Sequence, residues 1–166
     1  MRRSRRARAA KPASRARGKK AIKVFYSYSH RDAALRRKLD THMSLMRRHG
    51  DIDDWYDAKI LPGTDWNEVI ARKLESPDII LLLISPDFVN SDFCWGKEMA
   101  RALQKHQEGT AAVIPIMLRP MDDSWKTTTF GSLQALPSNA KPVTKWRNRD
   151  EAWADVVNGI RTRIEA

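Results

Sequence analysis

Residues 79–85 read Ile-Ile-Leu-Leu-Leu-Ile-Ser, six apolar side chains in a row with Pro86 directly behind them. A strand with one wet face alternates apolar and polar residues; an unbroken run of this length, stopped by proline, predicts a strand covered on both faces. Such a strand needs helices above and below it. Working outward, AAVIPIML (111–118) is a second run of the same kind, with Pro115 an oddity for a central position. IKVFYSYS (22–29) is rich in β-branched and aromatic residues and predicts the first strand, DIDDWYD (51–57) a shorter second one, and PVTKW (142–146) a short last strand at an edge.

Helical spacing fills the gaps. Leu35, Leu39, Met43 and Met46 mark one face of a helix over 31–49, and Gly50 stands where a helix-ending glycine is expected. Asp65 with Glu68 forms a capping-box pattern before Trp66, Val69, Ile70 and Leu74. Ser91 is placed to cap a helix carrying Trp95, Met99, Ala102 and Leu103. Asp150 is placed to cap one carrying Trp153, Val156, Val157, Ile160 and Ile164. Residues 119–140 form a long irregular connection containing Trp125 and Phe130. Five strands alternating with helices predict an α/β fold with a parallel sheet. Right-handed crossovers favour the flavodoxin-like order 2-1-3-4-5 with helices on both faces.

The chain has 166 residues, a hydrophobic share of 42% and a formal charge of +11. The charge is local. Residues 1–20, MRRSRRARAAKPASRARGKK, hold ten Lys/Arg and no acid, leaving 21 basic against 20 acidic residues elsewhere. The expected division is a disordered basic tail (1–20), too poor in large apolar groups to order itself, and one folded domain (21–166). The tail is either a solubilising extension or a contact for nucleic acid through phosphate neutralisation. No stretch approaches the ~20 apolar residues of a membrane span. Cys94 is the only cysteine, and His30, His42, His49 and His106 lack metal-ligand spacing, so no disulfide, metal or cofactor is expected and a cytoplasmic, reducing setting is.

In a sheet of this order ligands bind beyond the carboxyl ends of the strands, at the switch between strands one and three. That selects YSYSHRD after strand one, the 57–66 loop after strand two, and SPDFVNSDFCWGKE after strand three, which ends on Glu98. By residue type alone Glu98 is an exposed acid in a helix's first turn, favoured by the macrodipole, or a group that does chemistry. Trp66 and Trp95 are core residues or stacking platforms, His30 a loop polar group or a base, and Cys94 a buried small hydrophobe.

Together these segments resemble a Toll/interleukin receptor (TIR) domain of the bacterial kind, in order and spacing across 22–164. Phe25-Tyr26-Ser27-Tyr28-Ser29 resembles the family's first box, Asp57 through Trp66 with Leu61-Pro62-Gly63 its loop after strand two, and Ser91 through Glu98 the box of the catalytic glutamate. Phe130 through Pro137 and Lys145-Trp146 resemble its closing segment. Several TIR enzymes place a tryptophan four residues before the glutamate; here that position is Cys94, and Trp95 stands three before. The resemblance implies cleavage of the nicotinamide–ribose bond of NAD⁺ by Glu98, with NAD⁺ as substrate and no cofactor. It further implies contacts to the dinucleotide from Tyr28, Ser29, His30, Asp57, Leu61, Trp66, Cys94 and Trp95. Activation by TIR–TIR self-association, a sensor domain or sensor protein, and a role in anti-phage defence are implied as well. A non-catalytic TIR–TIR scaffold is the alternative. A receiver domain is disfavoured, since strand three ends Ile84-Ser85-Pro86 without a phosphoacceptor aspartate.

Overall fold

The computed structural model describes residues 20–60 and 68–166. The basic tail up to residue 19, the Asp65 cap, Leu61-Pro62-Gly63 and Trp66 lie outside the described residues. Four parallel strands form one sheet in the order β2-β1-β3-β4: β1 (Ile22–Ser29), β2 (Ile52–Ile60), β3 (Ile79–Ile84) and β4 (Ala112–Met117). Strand β1 pairs with β2 along its whole length, and with β3 over Val24 to Ser27. All six residues of β3 are buried, as its unbroken apolar run requires.

Alternation along the strands divides the interior into two cores. Val24, Tyr26, Tyr28, Leu81 and Leu83 face α1 (Ala33–His42), α2 (Ser44–Arg48) and α7 (Arg149–Glu165), where Leu39, Met43, Met46, Trp153, Val156 and Ile160 close over them. Phe25, Ile80, Leu82 and Ile84 face the other layer: α3 (Glu68–Lys73), α4 (Pro86–Val89), α5 (Asp92–Trp95) and α6 (Lys97–Glu108). The predicted 31–49 helix is interrupted at Met43, which has φ −90° and ψ 2°, yet keeps its buried stripe. It ends on Gly50 at φ 71°, a left-handed conformation that glycine adopts without steric cost.

Among the described residues the sheet has four strands, not five. Pro142 offers no N–H, and Val143–Lys145 coil into a 3-10 turn whose Thr144 N–H bonds the Leu118 carbonyl at 3.1 Å. The outer edge of β4 is closed instead by one residue. Leu136 donates to the Pro115 carbonyl at 2.8 Å and accepts from Met117 N–H at 2.7 Å, and Pro137 after it cannot extend the ladder. Pro115 is explained by the same edge. The N–H groups of 112 and 118 point toward β3, so those of 113, 115 and 117 point outward. Val113 N–H finds Nδ1 of His106 at 3.0 Å, Met117 finds Leu136, and the missing donor of Pro115 faces away from the neighbouring strand. Leu136 packs on bare Gly159 of α7, where an added Cβ would come within 2.5 Å of its side chain.

Other boundaries moved for local reasons. Strand β2 runs on to Ile60, three residues into the expected loop, because β1 offers it paired positions up to Ser29. The helix predicted from Ser91 onward is split at Gly96, and the Ser91 hydroxyl donates to the Phe88 carbonyl at 2.5 Å instead of capping. Asn148, not Asp150, caps α7 by accepting Glu151 N–H, while Asp150 reaches His42. Val69, expected on a buried face, is exposed; Leu74 is buried in its layer. Among the described residues no helix is long and apolar enough to cross a membrane.

Candidate active site

Three chain segments meet at the carboxyl edge of the sheet: the turn after β1, the turn after β3 through α5 into α6, and Arg119 just past β4. Glu98 sits in the first turn of α6 and is only 6% exposed. Its carboxylate is folded back over the break between α5 and α6, so close that a Cβ on Gly96 would meet Oε2 at 2.2 Å. Among the described residues, no hydrogen bond or ion pair engages this carboxylate. The side chain is buried at the start of a helix, where partial positive charge favours an anion.

Cys94, four residues earlier, is buried in the same layer, and burial pushes its thiol up to about 11, so it stays protonated and un-nucleophilic near neutrality. Trp95 points the other way. It is 64% exposed, with Nε1–H donating to the Val89 carbonyl at 2.6 Å, so the indole is held while its face meets solvent. It borders a groove of about 730 Å³ shared with Pro86, Val89, Met121 and Trp125. Trp95 therefore leaves the apolar stripe expected for its helix, because the break at Gly96 turns α5 away from α6.

The residues ending β1 divide between the faces. Ser29 is buried on the side of Glu98 by strand alternation, and its hydroxyl accepts the N–H of Arg31 to start the 3-10 turn His30–Asp32. His30 is half-buried, with Nδ1 3.2 Å from the Ile60 carbonyl. A carbonyl can only accept, so Nδ1 carries the proton and Nε2 is the free acceptor of the neutral ring. Tyr28 and Asp57 belong to the opposite layer. Burial first, then the nearby Asp57 carboxylate, pushes the Tyr28 phenol above its usual range. Asp57 also lies 3.4 Å from Nε of buried Arg36. It belongs to β2 and is engaged there, on the far side of the sheet from Glu98. Leu61 and Trp66 lie outside the described residues.

A family model described as the TIR domain matches residues 24–157. The chain belongs to the TIR domain family. Among curated proteins, the uncharacterized protein y4lF of Sinorhizobium fredii (strain NBRC 101917 / NGR234) is 44% identical over 138 residues, which are 83% of this chain and 42% of that protein. The chain thus spans less than half the length of that relative. TIR domains are signalling modules that self-associate.

The rim of this TIR domain is fastened by a polar network that sequence reasoning missed. Asp32, 2% exposed, accepts from the Ser85 hydroxyl at 2.5 Å and from Nε of Arg119 at 2.8 Å. Arg119 also bonds Asp87, which has Arg31 at 3.5 Å on its other side. One guanidinium therefore ties the segments following β1, β3 and β4. The available signal was position: Arg119 is the first charged residue after the apolar run of β4, at the end of the sheet where the turns converge.

Proposed function

We propose that this domain is an NAD⁺ glycohydrolase that becomes active on assembly and serves bacterial anti-phage defence. The observation that carries the reading is the Glu98 side chain, buried against Gly96 and unengaged among the described residues at the carboxyl edge of a TIR sheet. Breaking the C1′–N bond of NAD⁺ sends its electron pair to the pyridinium nitrogen, so nicotinamide leaves neutral and needs no acid. The cost is positive charge growing on the ribose, as in glycoside cleavage. An ionised carboxylate held against the sugar offsets that charge, and stabilisation aimed at developing charge is commonly the largest catalytic contribution. Water then takes the cation, releasing a proton and giving ADP-ribose; capture by an internal nucleophile gives the cyclic product. Buried Ser29 and the free Nε2 of His30 lie on the rim from which sugar hydroxyls would be held.

On this reading a neighbouring subunit, through the segment that follows its β2, completes the catalytic centre, and a sensor region or sensor protein supplies the trigger. Turnover is then negligible when the domain is dilute and strong when it is clustered. NAD⁺ loss measured on a crowding resin for the wild type and Glu98→Ala decides the matter; equal rates would remove the hydrolase reading. One observation favours a second reading, a TIR–TIR scaffold without turnover: the exposed, hydrogen-bonded Trp95 beside a groove has the character of an interface anchor. On that reading Trp95→Ala abolishes self-association, and Glu98→Ala has no consequence.

A further inference from the structure

Gly96 separates α5 from α6 at φ −96° and ψ −171°, extended values that any residue adopts. Backbone conformation therefore does not call for glycine here. Space does. A Cβ at this position would lie 2.2 Å from Oε2 of Glu98 and 2.8 Å from the Asp92 carbonyl oxygen, both inside van der Waals contact. The two neighbours yield differently. The Asp92 carbonyl belongs to the backbone of α5, which is anchored by buried Phe93 and Cys94. The Glu98 carboxylate ends a flexible side chain and can swing away.

We propose that Gly96 is a positioning residue for Glu98: its bare Cα is the seat on which the carboxylate folds back. A side chain at 96 presses on both neighbours: the Asp92 carbonyl has to give by a few tenths of an ångström, and the carboxylate, closer and at the end of a flexible chain, is the group evicted. The seat stands on this geometry alone; its kinetic consequence rests on the hydrolase reading above. A misplacement of about 1 Å in a group that meets the developing charge costs on the order of 10²-fold in rate. A contact made only in the transition state lowers kcat and leaves KM nearly alone.

The test uses the full chain, clustered, with NAD⁺ as substrate, and compares wild type, Gly96→Ala, Glu98→Ala and the double variant. Gly96→Ala is expected to lower kcat about 10²-fold with KM within about twofold, and to add no further loss to Glu98→Ala, since both changes act through one group. Wild-type kcat in Gly96→Ala, or a full additional loss in the double variant, overturns the proposal. A crystal structure of Gly96→Ala gives a second arm independent of turnover. The Glu98 carboxylate should be displaced by about 1 Å or more, and a carboxylate left in place overturns the seat. If wild type and Glu98→Ala consume NAD⁺ equally, the hydrolase reading falls and the crystallographic arm still decides the seat. Should alanine prevent folding, Glu98→Asp withdraws the carboxylate by one methylene without touching Gly96, and carries the same expectation for kcat.

Discussion

Arg119→Ala should destabilise the domain far more than the loss of a surface arginine does. Exposed ion pairs contribute roughly 0–1 kcal/mol, because water and salt screen them. The partner here is not exposed: Asp32 is 2% accessible, and Arg119 supplies one of its two hydrogen bonds, at 2.8 Å. Removing one member of a buried pair strands a charge at a cost of about 3–5 kcal/mol. Two features reduce that figure. The Ser85 hydroxyl still donates to Asp32 at 2.5 Å, and the Arg119 side chain is one-third exposed, so water reaches part of the vacated space. The expected loss is therefore about 2–3 kcal/mol, between an unsatisfied buried polar group and a bare buried charge. At about 2–4 °C per kcal/mol for a domain of this size, Tm should fall by roughly 4–12 °C. Urea unfolding followed by circular dichroism measures it, and an unchanged slope shows that stability alone has moved. Adding Asp32→Asn to Arg119→Ala should recover a substantial part, since the neutral amide needs no cation. A loss below about 0.5 kcal/mol would refute the reasoning, as would a double variant less stable than Arg119→Ala.

Glu98→Gln keeps the shape but not the charge, and should lower kcat on clustered protein by about 10²–10³-fold, with Tm unchanged; an unaltered rate would show that the charge is not used. Alkaline stability should carry the mark of Cys94, whose folded value is raised by burial from an ordinary 9.0 to about 11. That contribution is fully present below pH 9 and is lost as pH rises toward 11, because only the unfolded thiol ionises there. Urea midpoints of wild type and Cys94→Ser should converge across that window, and parallel curves would contradict it. Tyr26 and Tyr28 are raised as well, by burial and then by Asp54 and Asp57 respectively, so Tyr28→Phe should flatten the decline that continues above pH 10. Trp153→Ala empties the contact between α7 and α1, where the indole is fully buried and stacked on His42, and should cost about 3–5 kcal/mol by chemical denaturation.

The central strands were legible because burial on both faces leaves an unmistakable trace. Ile79 to Ile84 contain no polar side chain, and no other element explains six apolar residues stopped by proline. The stripe Trp153, Val156 and Ile160 was equally plain, since helix periodicity records which face is dry. What failed was pairing at the edge. PVTKW has strand-forming residues, but an edge is closed by whichever segment reaches it, and Leu136 reaches β4 first by packing against Gly159. Nothing local to 142–146 records that competition. The split at Gly96 was hidden for a related reason: Trp95 and Met99 have helical spacing, and spacing does not say that a turn intervenes.

The candidate site shows the same division between what one element carries and what several make together. Glu98 stands out in the sequence because one segment, Ser91 through Glu98, carries both its position in the fold and its family pattern. Asp57 was selected by the same kind of reading, but its carboxylate faces Arg36 on the other layer. The network of Asp32, Ser85 and Arg119 spans 87 positions between its ends, and no single segment advertises it. Its members look ordinary in sequence: a turn aspartate, a serine at a strand end, and an arginine after an apolar run. Only the parallel sheet brings them together, by delivering every strand's carboxyl end to one edge. Breaking this network should therefore act on both properties of the domain at once. It would lower stability through the stranded charge of Asp32, and it would loosen the turn that carries His30 after Ser29. Glu98→Gln, by contrast, should touch the rate alone. On the hydrolase reading the chemistry rests on one carboxylate while the shape of the rim rests on one guanidinium, and the pair of variants tests that separation.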